Sequence, residues 1–298
     1  MLPFSLIILS LITVFPVKSN TNTSGNDDVS ICAVIKSYYL NDTIEWIEYH
    51  LKMAGLKKMF IFDHNSPVAL NDALQEYIKS GFVHYEKISH TGSDYLHSAQ
   101  NRAYDLCIKK HCSETGWMAF IDSDEFIVLN STFPSLSSFV GPYRNYSIIY
   151  LNWIVISSGE HIHRPEGGIL SNYIKCLPNT HSKNHVYKAI GNCKFITQSL
   201  NPHTPAPAMK GLGSINSNGE PAILGTTYTL ENSRHKNAVL YHYMFRSRDE
   251  SLVKIKDGSG SGVHHKSLKH YSMIQKAATE NCTDLQKKAK NINWEHLF

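Results

Sequence analysis

Between residues 31 and 129, short apolar runs alternate with stretches of helical period. Ile31-Cys-Ala-Val-Ile35, Met59-Phe-Ile-Phe62, Phe82 to Tyr85 and Trp117-Met-Ala-Phe-Ile121 have the length and content of strands buried on both faces. Between them, Ile44, Ile47 and Leu51 fall on one helical face that ends near Gly55. Leu70, Leu74, Tyr77 and Ile78 mark a second helix stopped by Gly81, and Leu96, Ala99, Ala103 and Leu106 a third. Asp42, followed three residues later by Glu45, reads as a capping box that opens the first helix. Strand and helix in this alternation predict an α/β fold with a mostly parallel central sheet, right-handed crossovers and flanking helices. In such sheets the ligand lies beyond the carboxyl ends of the strands.

After residue 140 the rhythm loosens. Ser147 to Val155 reads as a strand. Residues 157–235 are rich in Gly, Pro, Asn and His, the composition of long functional loops. Val239 to Phe245 reads as a strand, and Ser247 to Lys256 and Lys266 to Lys288 as helices. The terminal Lys287, Lys288 and Lys290 are expected on a solvated face.

The chemistry is concentrated in one acidic turn. Asp122-Ser-Asp-Glu125 follows the fourth strand directly, at the edge where ligands bind. Asp122 and Asp124 are two apart and point to the same side of an extended chain. Paired carboxylates are hard oxygen ligands for Mn²⁺ or Mg²⁺, and a diphosphate can complete the shell. Trp117–Ile121 before the turn and Phe126-Ile-Val-Leu129 after it are apolar, so the charges between them need a reason to be there.

The compartment is read from the first residues. Met1 to Val17 is apolar apart from Ser5, Ser10 and Thr13, shorter than the roughly 20 residues of a spanning helix, and is followed by a cut-compatible Val17-Lys-Ser19. It is expected to be a signal peptide or a single signal anchor, which leaves the rest in the secretory lumen. Five sequons, at Asn22, Asn41, Asn130, Asn145 and Asn281, agree. Six cysteines without a C-x-x-C pair suggest up to three disulfides. Cys107 with Cys112 closes a short loop, Cys176 with Cys193 staples a hairpin, and Cys32 is read as a buried thiol.

Composition removes several classes. With 29 Lys and Arg against 25 Asp and Glu the net charge is +4, without a basic cluster, so nucleic acid is not the expected partner. The absence of heptads and of longer repeats excludes fibres and solenoids. No hydrolase elbow (Gly-x-Ser-x-Gly) or His-Glu-x-x-His motif occurs.

Cys32-Ala-Val-Ile-Lys36, Glu45-Trp-Ile-Glu-Tyr-His50, Phe60-Ile-Phe-Asp-His-Asn-Ser66 and Ala119-Phe-Ile-Asp-Ser-Asp-Glu-Phe126 resemble the glycosyltransferase family 92 pattern. So do Asn152-Trp153, Ser157-Ser-Gly159, Pro165-Glu-Gly167, His203-Thr-Pro205 and Tyr241-His-Tyr243 with Arg246-Ser247. The resemblance covers roughly residues 31–258 and implies a GT-A-type fold with a Rossmann-like nucleotide-binding half. It also implies a nucleotide-sugar donor, a divalent cation (Mn²⁺ or Mg²⁺) and inverting transfer. UDP-galactose is the first-choice UDP-hexose, and a glycan or glycoprotein the acceptor.

Carried over residue by residue, the resemblance assigns Asp122, Asp124 and His242 to the metal, with Asp124 the direct ligand. Lys36, Asp63, Arg102 and Asp122 are assigned to the nucleotide-sugar. Glu160 and Glu166 are the candidate bases that would deprotonate the acceptor. Trp46 and Tyr49 are read as helix packing. Two departures stand out: Lys36-Ser-Tyr38 where the family shows Lys-Asn-Glu, and Leu170-Ser-Asn-Tyr173 where it shows an acidic residue. These departures keep a second class in view, a catalytically inactive glycan- or nucleotide-sugar-binding protein on the same scaffold. The expected organisation is 1–19 signal peptide or anchor, 20–30 polar stem, 31–265 transferase domain and 266–298 basic helical tail.

Overall fold

The structure, a computed structural model, describes residues 26–89, 99–257 and 267–290. The predicted leader, most of the stem, the Asn22 sequon and Leu96 lie outside the described residues. The predicted alternation is present: β1 (Val29–Ile35), α1 (Leu40–Met53), β2 (Lys58–Asp63), α2 (Leu70–Ala73), α3 (Gln75–Lys79), β3 (Val83–Lys87), α4 (Ala99–His111) and β4 (Trp117–Phe120). β5 (Glu125–Leu129), α5 (Leu136–Val140) and β6 (Ile148–Val155) follow. β1 to β4 form the parallel half, in the order β3-β2-β1-β4; β1, β2 and β4 are nearly all buried, whereas β3, expected to be buried on both faces, lies at the edge and buries only Val83. This is the mostly parallel sheet expected of a nucleotide-binding half.

Residues 157–235, expected to be loops, hold more regular structure than that. They contain α6 (Ile169–Asn172), β7 (Lys175–Cys176), β8 (Tyr187–Asn192), β9 (Ile196–Asn201), β10 (Thr204–Pro207) and β11 (Ser214–Asn216). β12 (Ala238–His242), α7 (Arg248–Asp257), α8 (Leu268–Ala277), β13 (Glu280–Asn281) and α9 (Asp284–Ala289) complete the chain. β8 enters the middle of the sheet, antiparallel to both β4 and β6. The order continues β4-β8-β6-β12-β5, with β11 beside β6, for nine strands among the described residues. β8 eludes an apolar-run search because Lys188 interrupts it, yet all six of its residues are buried.

The first helix is not opened by a capping box. α1 begins at Leu40, and its N-cap residue Tyr39 makes no side-chain cap bond. Asp42 and Glu45 instead reach distant elements. Glu45 accepts from Ile169 N (2.5 Å) and Leu170 N (3.2 Å), capping α6 across 124 residues of chain. Gly168 must be glycine for this approach, since a Cβ there would collide with the Glu45 carboxylate.

Trp46 and Tyr49 pack as expected, and they do something further. Among the described residues β5 pairs only with β12, so its other edge has no strand partner there. Trp46 Nε1 donates to Glu125 O (2.7 Å), and Tyr49 OH to Ile127 O (2.7 Å). His50 Nε2 accepts from Ile127 N (3.2 Å), while its Nδ1–H donates to Trp46 O (2.8 Å). Burial pushes the His50 imidazole down to about 3, so the neutral ring can act as donor and acceptor at once. One helix face thus supplies the hydrogen bonds a neighbouring strand would have made.

Three disulfides form, with pairings other than those expected: Cys32–Cys107, Cys112–Cys193 and Cys176–Cys282. Cys107 lies inside α4 and Cys112 just past its end, about 7.5 Å of helical rise apart, which does not favour a bond between them; each pairs elsewhere. Cys32 is a half-cystine on β1 that ties the sheet to α4, not a thiol. The tail is not one solvated helix. It breaks between α8 and α9, buries Ile274, Leu285 and Ala289, and is bound to β7 through Cys176–Cys282 and the β7–β13 ladder. Lys288, expected in water, donates to Leu129 O (2.6 Å). No described helix is long and apolar enough to cross a membrane.

Candidate functional site

Register brings four side chains to one sheet face at the carboxyl end of β4. Glu125 lies opposite His242, His242 opposite Val155, Leu240 opposite Trp153, and Leu151 opposite Lys188. With a side-chain period of two, Glu125, His242, Trp153 and Lys188 therefore share that face. The acidic turn closes over it. Glu125 N donates to Asp122 O (3.0 Å), and Asp122 N donates to Glu125 Oε2 (2.9 Å).

Lys188 organises the charges. Its ammonium, 1% exposed, lies 2.9 Å from Asp122 Oδ1 and 3.9 Å from Glu125 Oε2, and donates to Pro202 O at 3.1 Å. Burial works against that charge, but Asp122 and Glu125 outweigh it and hold the ammonium above its ordinary range. Burial pulls the Asp122 carboxyl up, and Lys188 more than reverses this, leaving it below the usual value. Glu125 is fully buried, and desolvation pushes it well above the ordinary carboxyl range. Its Oε1 has no hydrogen-bond partner among the described residues. Two carboxyls a few ångströms apart thus have opposite tendencies, Asp122 ionised and Glu125 protonated.

Asp124 faces a different way. Its Oδ1 is 3.6 Å from His242 Nε2, its Oδ2 pairs with Lys254 of α7, and its carbonyl accepts from Tyr243 N at 2.8 Å. Among the described residues no group of three or more His, Cys, Asp or Glu converges as a ready metal cage. The Asp124 and His242 atoms are, however, spaced as two neighbouring ligands of one cation would be. A carboxylate oxygen with an imidazole is a donor set that suits Mn²⁺. These residues fit a two-ligand holder, with water and diphosphate oxygens left to supply the rest. Asp122, expected to share the metal, has its Oδ1 engaged by Lys188 and by Gln100 Nε2.

The other candidates are dispersed. Asp63 ends β2 and is turned inward, accepting from Ser66 N (2.9 Å) and Tyr85 OH (2.6 Å). Lys36 pairs with Asp257 at the end of α7 (2.8 Å). Arg102 is exposed on α4, two residues from the Gln100 that reaches Asp122, so the two side chains leave the helix on different faces. Glu160 and Glu166 are exposed in the loop after β6, and Glu160 adopts φ 72°. No hydrogen bond or ion pair joins either carboxylate to the acidic turn among the described residues. That loop is anchored by Arg164, which bonds both Asp42 oxygens (2.6 and 2.9 Å) and Glu250 (2.8 Å).

The residues missed from the sequence are Lys188, Lys254, Glu125 and Arg246. Arg246 pairs with Asp42 and lies 3.5 Å from Glu250. Only the carboxylates offered a signal for the two lysines, since buried acids at a strand end call for cations from elsewhere.

Comparison with known proteins follows the same outline. The family model for glycosyltransferase family 92 matches residues 28–295. A family 92 protein of Ricinus communis is 27% identical over 121 residues, 40% of this chain and 20% of that protein. The match thus spans about a fifth of that curated relative's length. Among solved structures, S. aureus TarS 1-349 in complex with UDP-GlcNAc gives a TM-score of 0.42 at 8% identity, covering 89% of this chain and 67% of that one. The mannosyltransferase PcManGT from Pyrobaculum calidifontis, in complex with GDP-Man and Mn²⁺, gives 0.31 at 8% identity over 43% of this chain and 36% of that one. Likenesses this distant say nothing of substrate.

Proposed function

This chain belongs to glycosyltransferase family 92, and from that premise we propose that it moves a hexose from a nucleotide-sugar onto a glycan or glycoprotein acceptor, with inversion and with a divalent cation. Galactose from UDP-galactose is the first donor to test. The observation that carries the reading is the acidic turn at the carboxyl end of β4, with Asp124 Oδ1 3.6 Å from His242 Nε2. A bound Mn²⁺ or Mg²⁺ would supply charge neutralisation of the departing nucleoside diphosphate. Asp124 and His242 would hold it. Lys188 and Lys254 offset the charges of Asp122 and Asp124 along the same edge, which lessens the repulsion an anionic ligand would meet there. Lys188 also keeps Asp122 ionised, leaving its second oxygen as an acceptor for donor hydroxyls. An exposed carboxylate of the 157–168 loop, Glu160 or Glu166, would take the acceptor proton.

A secretory-lumen location is part of the proposal. It is supported by three disulfides and by sequons whose Asn41, Asn145 and Asn281 are exposed. The test is a donor-hydrolysis and transfer screen on purified protein, with Mn²⁺, Mg²⁺ and EDTA arms. Asp124→Ala is expected to abolish metal-dependent turnover while the protein stays folded, with at most a modest drop in melting temperature from the freed Lys254. Full activity in Asp124→Ala or in EDTA refutes the metal role, and an α-linked product by proton NMR refutes inversion.

A further inference from the structure

Next to the acidic turn, on the side away from β2, lies a group of rings that the charges do not account for. Trp153 is 8% exposed and meets the His242 ring edge-on at 4.2 Å. Its indole Nε1–H has no hydrogen-bond partner among the described residues. A buried Trp almost always finds one, because an unpaired N–H costs most of its desolvation penalty. The His203 ring is 5.9 Å from Trp153, and Tyr228 stacks on His203 at 4.5 Å with planes 7° apart.

Both outer rings are set by one residue. Tyr187 O accepts from His203 Nδ1–H (2.8 Å), and Tyr187 N donates to Tyr228 O (3.2 Å). Tyr187 directly precedes Lys188, so the rings and the ammonium are placed by the same stretch of β8. Burial, reinforced by Lys188, pushes the His203 imidazole down to about 3. With Nδ1 donating, the neutral ring keeps an Nε2 lone pair. Thr227 and Tyr228 both sit in the left-handed region (φ 55° and 61°), two non-glycine residues in succession. Such strain persists where surrounding structure enforces it, most often at ligand sites.

We propose that Trp153, His203 and Tyr228 form a hexopyranose subsite, in which the Trp153 indole N–H donates to a sugar hydroxyl and the rings cover an apolar sugar face. This deepens the transferase reading and rests on it. The strand order supports a sugar over a nucleobase. Asp63, the candidate nucleoside contact, ends β2, whereas Trp153 lies across β1, β4 and β8 on β6. A donor spanning the acidic turn from the β2 side brings its sugar, or the acceptor sugar beside it, to these rings. A pyranose has the mixed character the subsite asks for, C–H faces for aromatic contact and hydroxyls for isolated donors and acceptors.

The experiment measures affinities by calorimetry for the full chain and for Trp153→Phe, His203→Ala and Tyr228→Ala. The probes are UDP, a panel of UDP-galactose, UDP-glucose and UDP-N-acetylglucosamine, and methyl β-galactoside with UDP present. Trp153→Phe keeps a smaller aromatic ring and deletes the donor. It is expected to weaken one sugar-bearing probe about five- to tenfold, the worth of one hydrogen bond, and to leave UDP within about twofold. Loss confined to a UDP-sugar places the donor hexose there, and loss confined to the methyl glycoside places the acceptor hexose. If Trp153→Phe folds poorly, the half-buried His203 and Tyr228 carry the same comparison. Unchanged affinity for every sugar probe, or an equal loss for UDP, overturns the subsite while leaving the transferase reading intact. A wild-type chain that binds none of the nucleotides overturns that reading and the subsite with it.

Discussion

Replacing Glu45 with Gln gives the sharpest test of the tertiary network. Glu45 is 2% exposed and caps α6 through two backbone N–H bonds. Burial raises its carboxyl from the ordinary 4.5 to about 7, more than those two bonds lower it. The folded state therefore holds a proton that the unfolded chain releases across this window. The sign follows: Glu45 contributes stability that is fully present below pH 4.5 and is lost as pH rises through 7. At 1.36 kcal/mol for each pH unit of difference, the loss amounts to about 3 kcal/mol. Glu45→Gln cannot titrate, and its stability lacks this component. Urea unfolding of both proteins at intervals from pH 4.5 to 7.5, disulfides intact, isolates it, because most other titrations cancel in the difference. The stability of wild type relative to Glu45→Gln is expected to fall by about 3 kcal/mol over the window. A difference that stays level with pH, or grows with it, would refute a protonated Glu45.

Two further changes probe the frame of the site. Lys188→Met leaves Asp122 and Glu125 without their ammonium and should cost about 3 kcal/mol of unfolding free energy, the lower end for a broken buried pair, because Asp122 is 34% open to water. A urea midpoint unchanged from wild type would show that the acids need no partner. The double variant Cys176→Ala, Cys282→Ala opens a link between residues 106 apart and should lower stability by about 2–5 kcal/mol, read as a drop in melting temperature under non-reducing conditions. An unaltered melting temperature would mean that the β7–β13 ladder holds the tail unaided.

The parallel half was legible because β1, β2 and β4 are buried on both faces, and such strands announce themselves as apolar runs. β8 was not, because the Lys188 that interrupts its pattern is compensated only by acids 66 and 63 residues away in sequence. Asp42 and Glu45 have the spacing of a local cap, and spacing alone does not reveal that Arg164 and the α6 amides are better partners. Asp122 and Asp124 were found from the sequence as a pair. Their separation into one carboxylate facing Lys188 and one facing His242 depends on β8 and β12, whose registers emerge only in three dimensions. The disulfides were countable but not assignable, since pairing depends on which helix face and which strand end meet.

The helix face that completes β5 has a consequence for how the molecule behaves among its own copies. An open strand edge is a template on which another chain can add a strand. At β5 that template is occupied by Trp46, Tyr49 and His50, side chains that leave no carbonyl–amide ladder for an incoming backbone. At the opposite end β3 presents Glu86 and Lys87, whose charges discourage edge-to-edge docking. Among the described residues, both ends of the sheet are thereby guarded against strand exchange between copies of the chain.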